Sequence, residues 1–212
     1  MKKTTITLII FAIFLTSCFN SSKEAIIVNS EIANKVNQNI IDTLNDQGRC
    51  SYLFLNKHHP TYYINDTLYN YPNDTIRYEN YEVKWIPKKD TILIYGNNLR
   101  PDGTIGFKVE IINKKINVYG FVRTHILLNN LSNEPKGNMY NSIYIPTSNQ
   151  KLVLSKIPND DKDIIYGYLE FKTKEFYTFE NGEYGEIENP KVENKIHYDM
   201  KVFFKASKCK KE

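Results

Sequence analysis

Ile105-Gly106-Phe107-Lys108-Val109-Glu110-Ile111 and, four residues later, Ile116-Asn117-Val118-Tyr119-Gly120-Phe121-Val122 are the two stretches that decide the fold. In the first, apolar odd positions alternate with Gly106, Lys108 and Glu110. In the second, Ile116, Val118, Gly120 and Val122 alternate with Asn117, Tyr119 and Phe121. A period of two is the mark of a strand with one buried face. Pairing Asn113 with Ile116 sets Ile111 against Val118 and Phe107 against Val122, so both apolar rows share a face. A three-residue loop would turn one row into water, so a two- or four-residue turn is expected.

The same period continues along the chain. Ile196, Tyr198, Met200, Val202 and Phe204 form one face, and His197, Asp199, Lys201 and Lys205 the other. Ile165, Leu169 and Phe171 make a third apolar row, with Gly167 marking a bulge or a close approach. Weaker strands are expected at about 51–56, 62–69, 75–86, 90–95, 142–146 and 151–156, divided by turn signals such as His59-Pro60, Pro158-Asn159 and Asn181-Gly182. The polar stretch 129–141 reads as the longest loop. Helical spacing occurs once, at Ile32, Ala33, Val36, Ile40, Ile41 and Leu44, giving an amphipathic helix over about 30–46 with Asn29 or Ser30 as its cap. The expected fold is mainly β: an antiparallel sandwich or partly open barrel of about nine or ten strands with one N-terminal helix.

The N-terminus has a different character. Lys2 and Lys3 precede an apolar run from Ile6 to Leu15, half of what a membrane-spanning helix needs. Leu15-Thr16-Ser17-Cys18 follows. This arrangement resembles the signal and lipobox of bacterial lipoproteins. The resemblance covers residues 1–18 only and implies cleavage before Cys18, acylation of its thiol and new amine, and a membrane held through lipid. No Asp follows Cys18, which within that family implies the outer membrane. The chain then divides into a signal peptide (1–17), a tether (18–25) and a single β-rich domain (26–212). Loss of Lys2 and Lys3 leaves 26 basic against 24 acidic residues, so the mature chain lacks the concentrated charge of a nucleic-acid binder.

Acylation of Cys18 leaves Cys50 and Cys209 as an even pair in an exported protein, where disulfides persist. A bond between them would staple the two ends of the sheet; two free thiols, one in the lysine-rich tail, are the alternative. Asp-Thr-aliphatic triplets at Thr67, Thr75 and Thr91 resemble the acceptor of a bacterial O-glycosylation system, while Asp-Thr is also ordinary turn-to-strand punctuation. Thr43 repeats the triplet within the expected helix.

No nucleophile elbow, phosphate loop or dinucleotide fingerprint occurs, and no cofactor is expected. Ser148-x-x-Lys151 and Ser207-x-x-Lys210 have the spacing of penicillin-recognising enzymes without its helix or partner motifs. Asn159-Asp160-Asp161-Lys162-Asp163 imitates a calcium loop but has Ile164 where the turn needs Gly. His58-His59 precedes a proline and reads as turn, and His125 and His197 fall on polar strand faces, so no metal site is expected. What remains is aromatic. Tyr119, Phe121, Tyr166 and Tyr168 lie opposite apolar rows and suit a glycan or protein partner, unless the helix or a second sheet covers them. A lipid-anchored binding or accessory module is the leading reading, beside an immunity or inhibitor lipoprotein and a hydrolase with a dispersed site.

Overall fold

The computed structural model describes residues 25–41, 52–54, 60–69, 81–98, 103–129, 140–160, 162–179 and 192–208. Cys18, Cys50, Cys209, Thr43, Thr75, His58 and His59 lie outside them. The elements are β1 (Ile27–Val28), α1 (Ile32–Ile41), β2 (Tyr52–Phe54), β3 (Thr61–Ile64), β4 (Thr67–Tyr69), β5 (Tyr81–Lys88), β6 (Thr91–Asn98), β7 (Gly103–Ile112), β8 (Lys115–Asn129), β9 (Tyr140–Leu154), β10 (Ile165–Thr173), β11 (Phe176–Phe179) and β12 (Val192–Lys208).

The protein is mainly β, and its strands bond into one sheet that returns on itself. The ring runs β5–β6–β7–β8–β9–β10–β12 and closes where β12 meets β5 in parallel, Ser207 opposite Lys84 and Lys208 opposite Trp85. Closure rests on these two residue pairs, and β1, β2 and β4, each bonded to one neighbour, remain as short edges among the described residues. Two parallel strand pairs, β12 with β5 and β1 with β9, depart from the all-antiparallel expectation.

Three differences from the sequence reading have physical causes. The β7–β8 turn has two residues, but Asn113 and Lys114 occupy it, with φ of 50° and 61°. The register therefore sets Ile111 against Ile116, Val109 against Val118, Phe107 against Gly120 and Ile105 against Val122. Both central residues of such a turn need positive φ, which Asn tolerates better than Lys, so a turn starting at Asn113 is favoured over one at Lys114-Lys115. The expected strand 62–69 is a hairpin, since Asn65 and Asp66 take the same conformation, φ 49° and 64°. The strands expected at 142–146 and 151–156 are one strand, β9, with a bulge at Asn149 (φ 52°).

That bulge turns a corner. The first part of β9 pairs with β8 as far as Tyr119 opposite Pro146, and the second part pairs with β10. Beyond Pro146 side chains replace the β8 ladder: Val118 N–H donates to Gln150 Oε1 (3.2 Å), and Thr147 Oγ1 donates to Val118 C=O (2.6 Å). Strands that change partner in this way let a sheet curl shut.

The interior holds Trp85, Phe107, Phe171, Tyr198, Met200, Val202 and Phe204, each no more than 2% exposed. Two of these rings occupy space left by glycine. Gly96 pairs with Phe107 and Gly167 with Phe204, and a Cβ at either glycine would lie within 2.4 Å of the facing ring. Gly167 is thus a site of close approach.

Helix α1 lies outside the ring. Asn29 Oδ1 accepts the Glu31 N–H at 2.9 Å, capping its start. Ile32 and Val36, one turn apart, are buried against Val153, Tyr166, Tyr168 and Phe203 on the outer faces of β9, β10 and β12.

Candidate functional site

Alternation that buries Phe107, Val109, Val118 and Ile145 sends their neighbours outward on the same strands. Across β6–β9 this produces a row of Tyr95, Lys108, Tyr119 and Pro146, each opposite the next. The adjoining row is Asn97, Gly106, Phe121 and Tyr144. Gly106 contributes no side chain, and a Cβ there would lie 2.1 Å from Gly96 O, so the two strands approach closely at this point.

The rings gather around that lysine. Lys108 Nζ lies 5.4 Å from the Tyr119 ring centroid and 5.0 Å from that of Tyr144. It also donates to Glu110 Oε1 at 2.6 Å. Phe121 and Tyr144 are tilted with centroids 5.2 Å apart. The hydrogen bond to Glu110 holds the Lys108 ammonium above its ordinary pKa, and burial raises that of Tyr95. Lys108 is thus charged and held in place, half-buried, with cation–π contacts of about 0.5–1 kcal/mol each. Tyr144 is 46% exposed and stands at the open side of the cluster.

Tyr166 and Tyr168 do not join this patch. They face outward from β10, beneath α1, and Tyr168 packs against Phe203 at 5.2 Å. Tyr168 OH donates to Glu170 Oε2 (2.7 Å), and Lys201 pairs with Oε1 of the same carboxylate (3.0 Å). Burial, reinforced by Glu170, raises the Tyr168 pKa, and the phenol in turn lowers that of Glu170. Tyr119 is opposite Pro146 and Tyr168 opposite Val153, seven residues further along β9. At about 3.3 Å per residue that is at most roughly 23 Å of strand path, with the corner at Asn149 between them.

The chain matches no family model, no curated protein and no solved structure. Its own side chains are therefore the whole basis for a functional reading.

The other sequence candidates are dispersed. Thr67 is exposed at the start of β4, directly after the Asn65-Asp66 turn, while Thr91 is half-buried at the start of β6. Asp163 accepts hydrogen bonds from Lys156 and from the N–H groups of Asn159 and Asp160, and Lys156 chiefly lowers its pKa to about 2. Its carboxylate is turned into its own loop, and no metal-sized group of ligands occurs among the described residues. His197 stacks on Tyr63 at 4.5 Å and borders an open hollow of about 460 Å³ with Ser148, Thr173, Lys174 and Glu175. Ser148 sits on a strand, and Lys151 reaches over the Tyr168 ring (6.0 Å), so that Ser-x-x-Lys spacing has no helix under it.

Sequence reasoning missed Tyr95, Lys108 and Tyr144. Each was readable as an outward residue, but their convergence depends on register. The expected pairing placed Lys108 opposite Phe121; the two-residue shift places it opposite Tyr119 and toward Tyr144.

Proposed function

We propose that this chain is a lipid-anchored binding module of the bacterial cell envelope, with the outer face of β6–β9 around Lys108 as its contact surface. The lipobox supports the location. The observation that carries the binding role is the set of Tyr95, Tyr119, Phe121 and Tyr144 around one oriented cation on the outside of the ring. Rigid rings with polar tips give contact area at small entropic cost, and a lysine already fixed by Glu110 loses little further freedom on binding. A convex aromatic face outside a closed ring fits a protein or an extended glycan better than a small molecule, which needs a cleft. The same feature favours the inhibitor alternative over the hydrolase.

Photo-crosslinking in cells tests the contact surface. Benzoylphenylalanine at position 144 should give a discrete adduct, and the same group at exposed Leu68 on β4 should not. Equal labelling from both positions, or from neither, would remove the patch as the contact surface. For the anchor, Cys18→Ser should abolish palmitate labelling and detergent-phase partitioning; unchanged partitioning would refute it.

A further inference from the structure

Strands β5, β7, β9 and β12 all run toward one end of the ring, as their antiparallel neighbours and the parallel β12–β5 pair require. Two adjacent turns lie there, since Thr91 at the start of β6 pairs with Ile112 at the end of β7. The first turn carries Lys88 and Lys89, the second Lys114 and Lys115, and all four are exposed. Asp90 is the one acid in these two turns, and Asp160, exposed in the β9–β10 connection, is another at this end.

Chain that enters from the N-terminus meets this same end. Ala25 bridges Lys115, Ile26 N–H donates to Lys114 C=O at 3.1 Å, and β1 continues along β9. Beside the lysines, Ile27 and Val28 are 48% and 52% exposed. Ile164, in the connection from β9 to β10 at this end, is 41% exposed. In that connection the Asp163 carboxylate is occupied by Lys156 and two backbone N–H groups. Cys18 lies seven residues before Ala25, a reach of at most about 25 Å.

We propose that this end of the barrel rests on an anionic membrane leaflet, with Lys88, Lys89, Lys114 and Lys115 on lipid headgroups and Ile27 and Val28 dipping between them. Lysines near a charged leaflet and shallow apolar side chains are the two contributions that hold a peripheral surface on a bilayer. The inference rests on the lipid-anchor reading for what brings this end to a bilayer. It also orients the Lys108 patch, which lies on the side wall of the ring, clear of the lipid and facing sideways.

The test uses residues 19–212 without acyl chains, which retain every described element, so binding is read from the surface alone. Sedimentation with vesicles should show partitioning onto phosphatidylcholine mixed with phosphatidylglycerol, weakened by salt, and none onto phosphatidylcholine alone. Loss of about fivefold per lysine is expected. The combined Lys88→Gln, Lys89→Gln, Lys114→Gln, Lys115→Gln variant should therefore fall by roughly several hundredfold, and Ile27→Ser with Val28→Ser should weaken binding further. Lys151→Gln with Lys172→Gln, on the flank of the ring, should bind as the parent. Equal partitioning onto both vesicle types, or an unaffected quadruple variant, would overturn the proposal. Failure of the anchor reading shows separately, as a full-length chain without palmitate label, and leaves the vesicle result intact.

Discussion

Two outer faces of the ring are built from the same parts and finished differently. Around Lys108, a Tyr–Phe pair at 5.2 Å adjoins a Lys–Glu pair at 2.6 Å with the cation over aromatic rings. Around Glu170, a Tyr–Phe pair at 5.2 Å adjoins a Lys–Glu pair at 3.0 Å, with Lys151 over the Tyr168 ring. On the second face α1 lays Ile32 and Val36 over the rings, and Tyr168 spends its hydroxyl on Glu170. On the first face Tyr144 stays 46% exposed. An aromatic strand face therefore does not define a binding surface by itself; what covers it decides.

The largest expected effect comes from uncovering the second face. Val36 is fully buried, so Val36→Asp places a charge against Tyr166, Tyr168 and Phe203 and should cost about 3 kcal/mol or undock α1. Denaturant melts together with helix amide exchange would read this. Wild-type stability and exchange would show that α1 is not held by this contact.

Tyr168→Phe should be milder, about 1 kcal/mol, by removing one hydrogen bond while keeping the ring. It should also let the Glu170 carboxyl return upward toward its ordinary value of 4.5, which carboxyl NMR titration would follow. An unmoved Glu170 would mean that the phenol is not what lowers it.

Acid response gives a further separation. Glu170 and Asp163 both have lowered pKa values, that of Asp163 about 2 against an ordinary 3.8. A depressed carboxyl contributes stability that is present above the unfolded value and lost as pH falls through the folded one. Stability should hold down to about pH 4 to 5 and decline below that, the Asp163 contribution being lost as pH falls toward about 2. Stability measured across that range checks this, and Asp163→Asn should remove the part of the decline that extends toward about pH 2.

The fold was legible wherever one face of a strand was wholly buried. Tyr198, Met200, Val202 and Phe204 alternate without interruption, and the structure buries all four. Ile32 and Val36 announced the helix in the same way. Legibility failed where pairing rests on turn conformation, as at Asn65-Asp66 and Asn113-Lys114, because positive φ is a backbone preference that hydrophobic period does not report. It also failed at Asn149, where one inserted residue joins two strands into one. The Lys108 cluster inherited the register error. Its members were visible singly, but no local pattern links Tyr95, Lys108 and Tyr144 across four strands.

A small stability effect should accompany the largest effect on recognition. Tyr144→Ala removes an outward ring with its Lys108 and Phe121 contacts and should change stability by about 1 kcal/mol. With the partner recovered by crosslinking at position 144, titration against wild type, Tyr144→Ala and Tyr166→Ala tests the central claim directly. The open face predicts at least about tenfold weaker binding for Tyr144→Ala and a change within about twofold for Tyr166→Ala. Undiminished binding by Tyr144→Ala, or a loss confined to Tyr166→Ala, would contradict it.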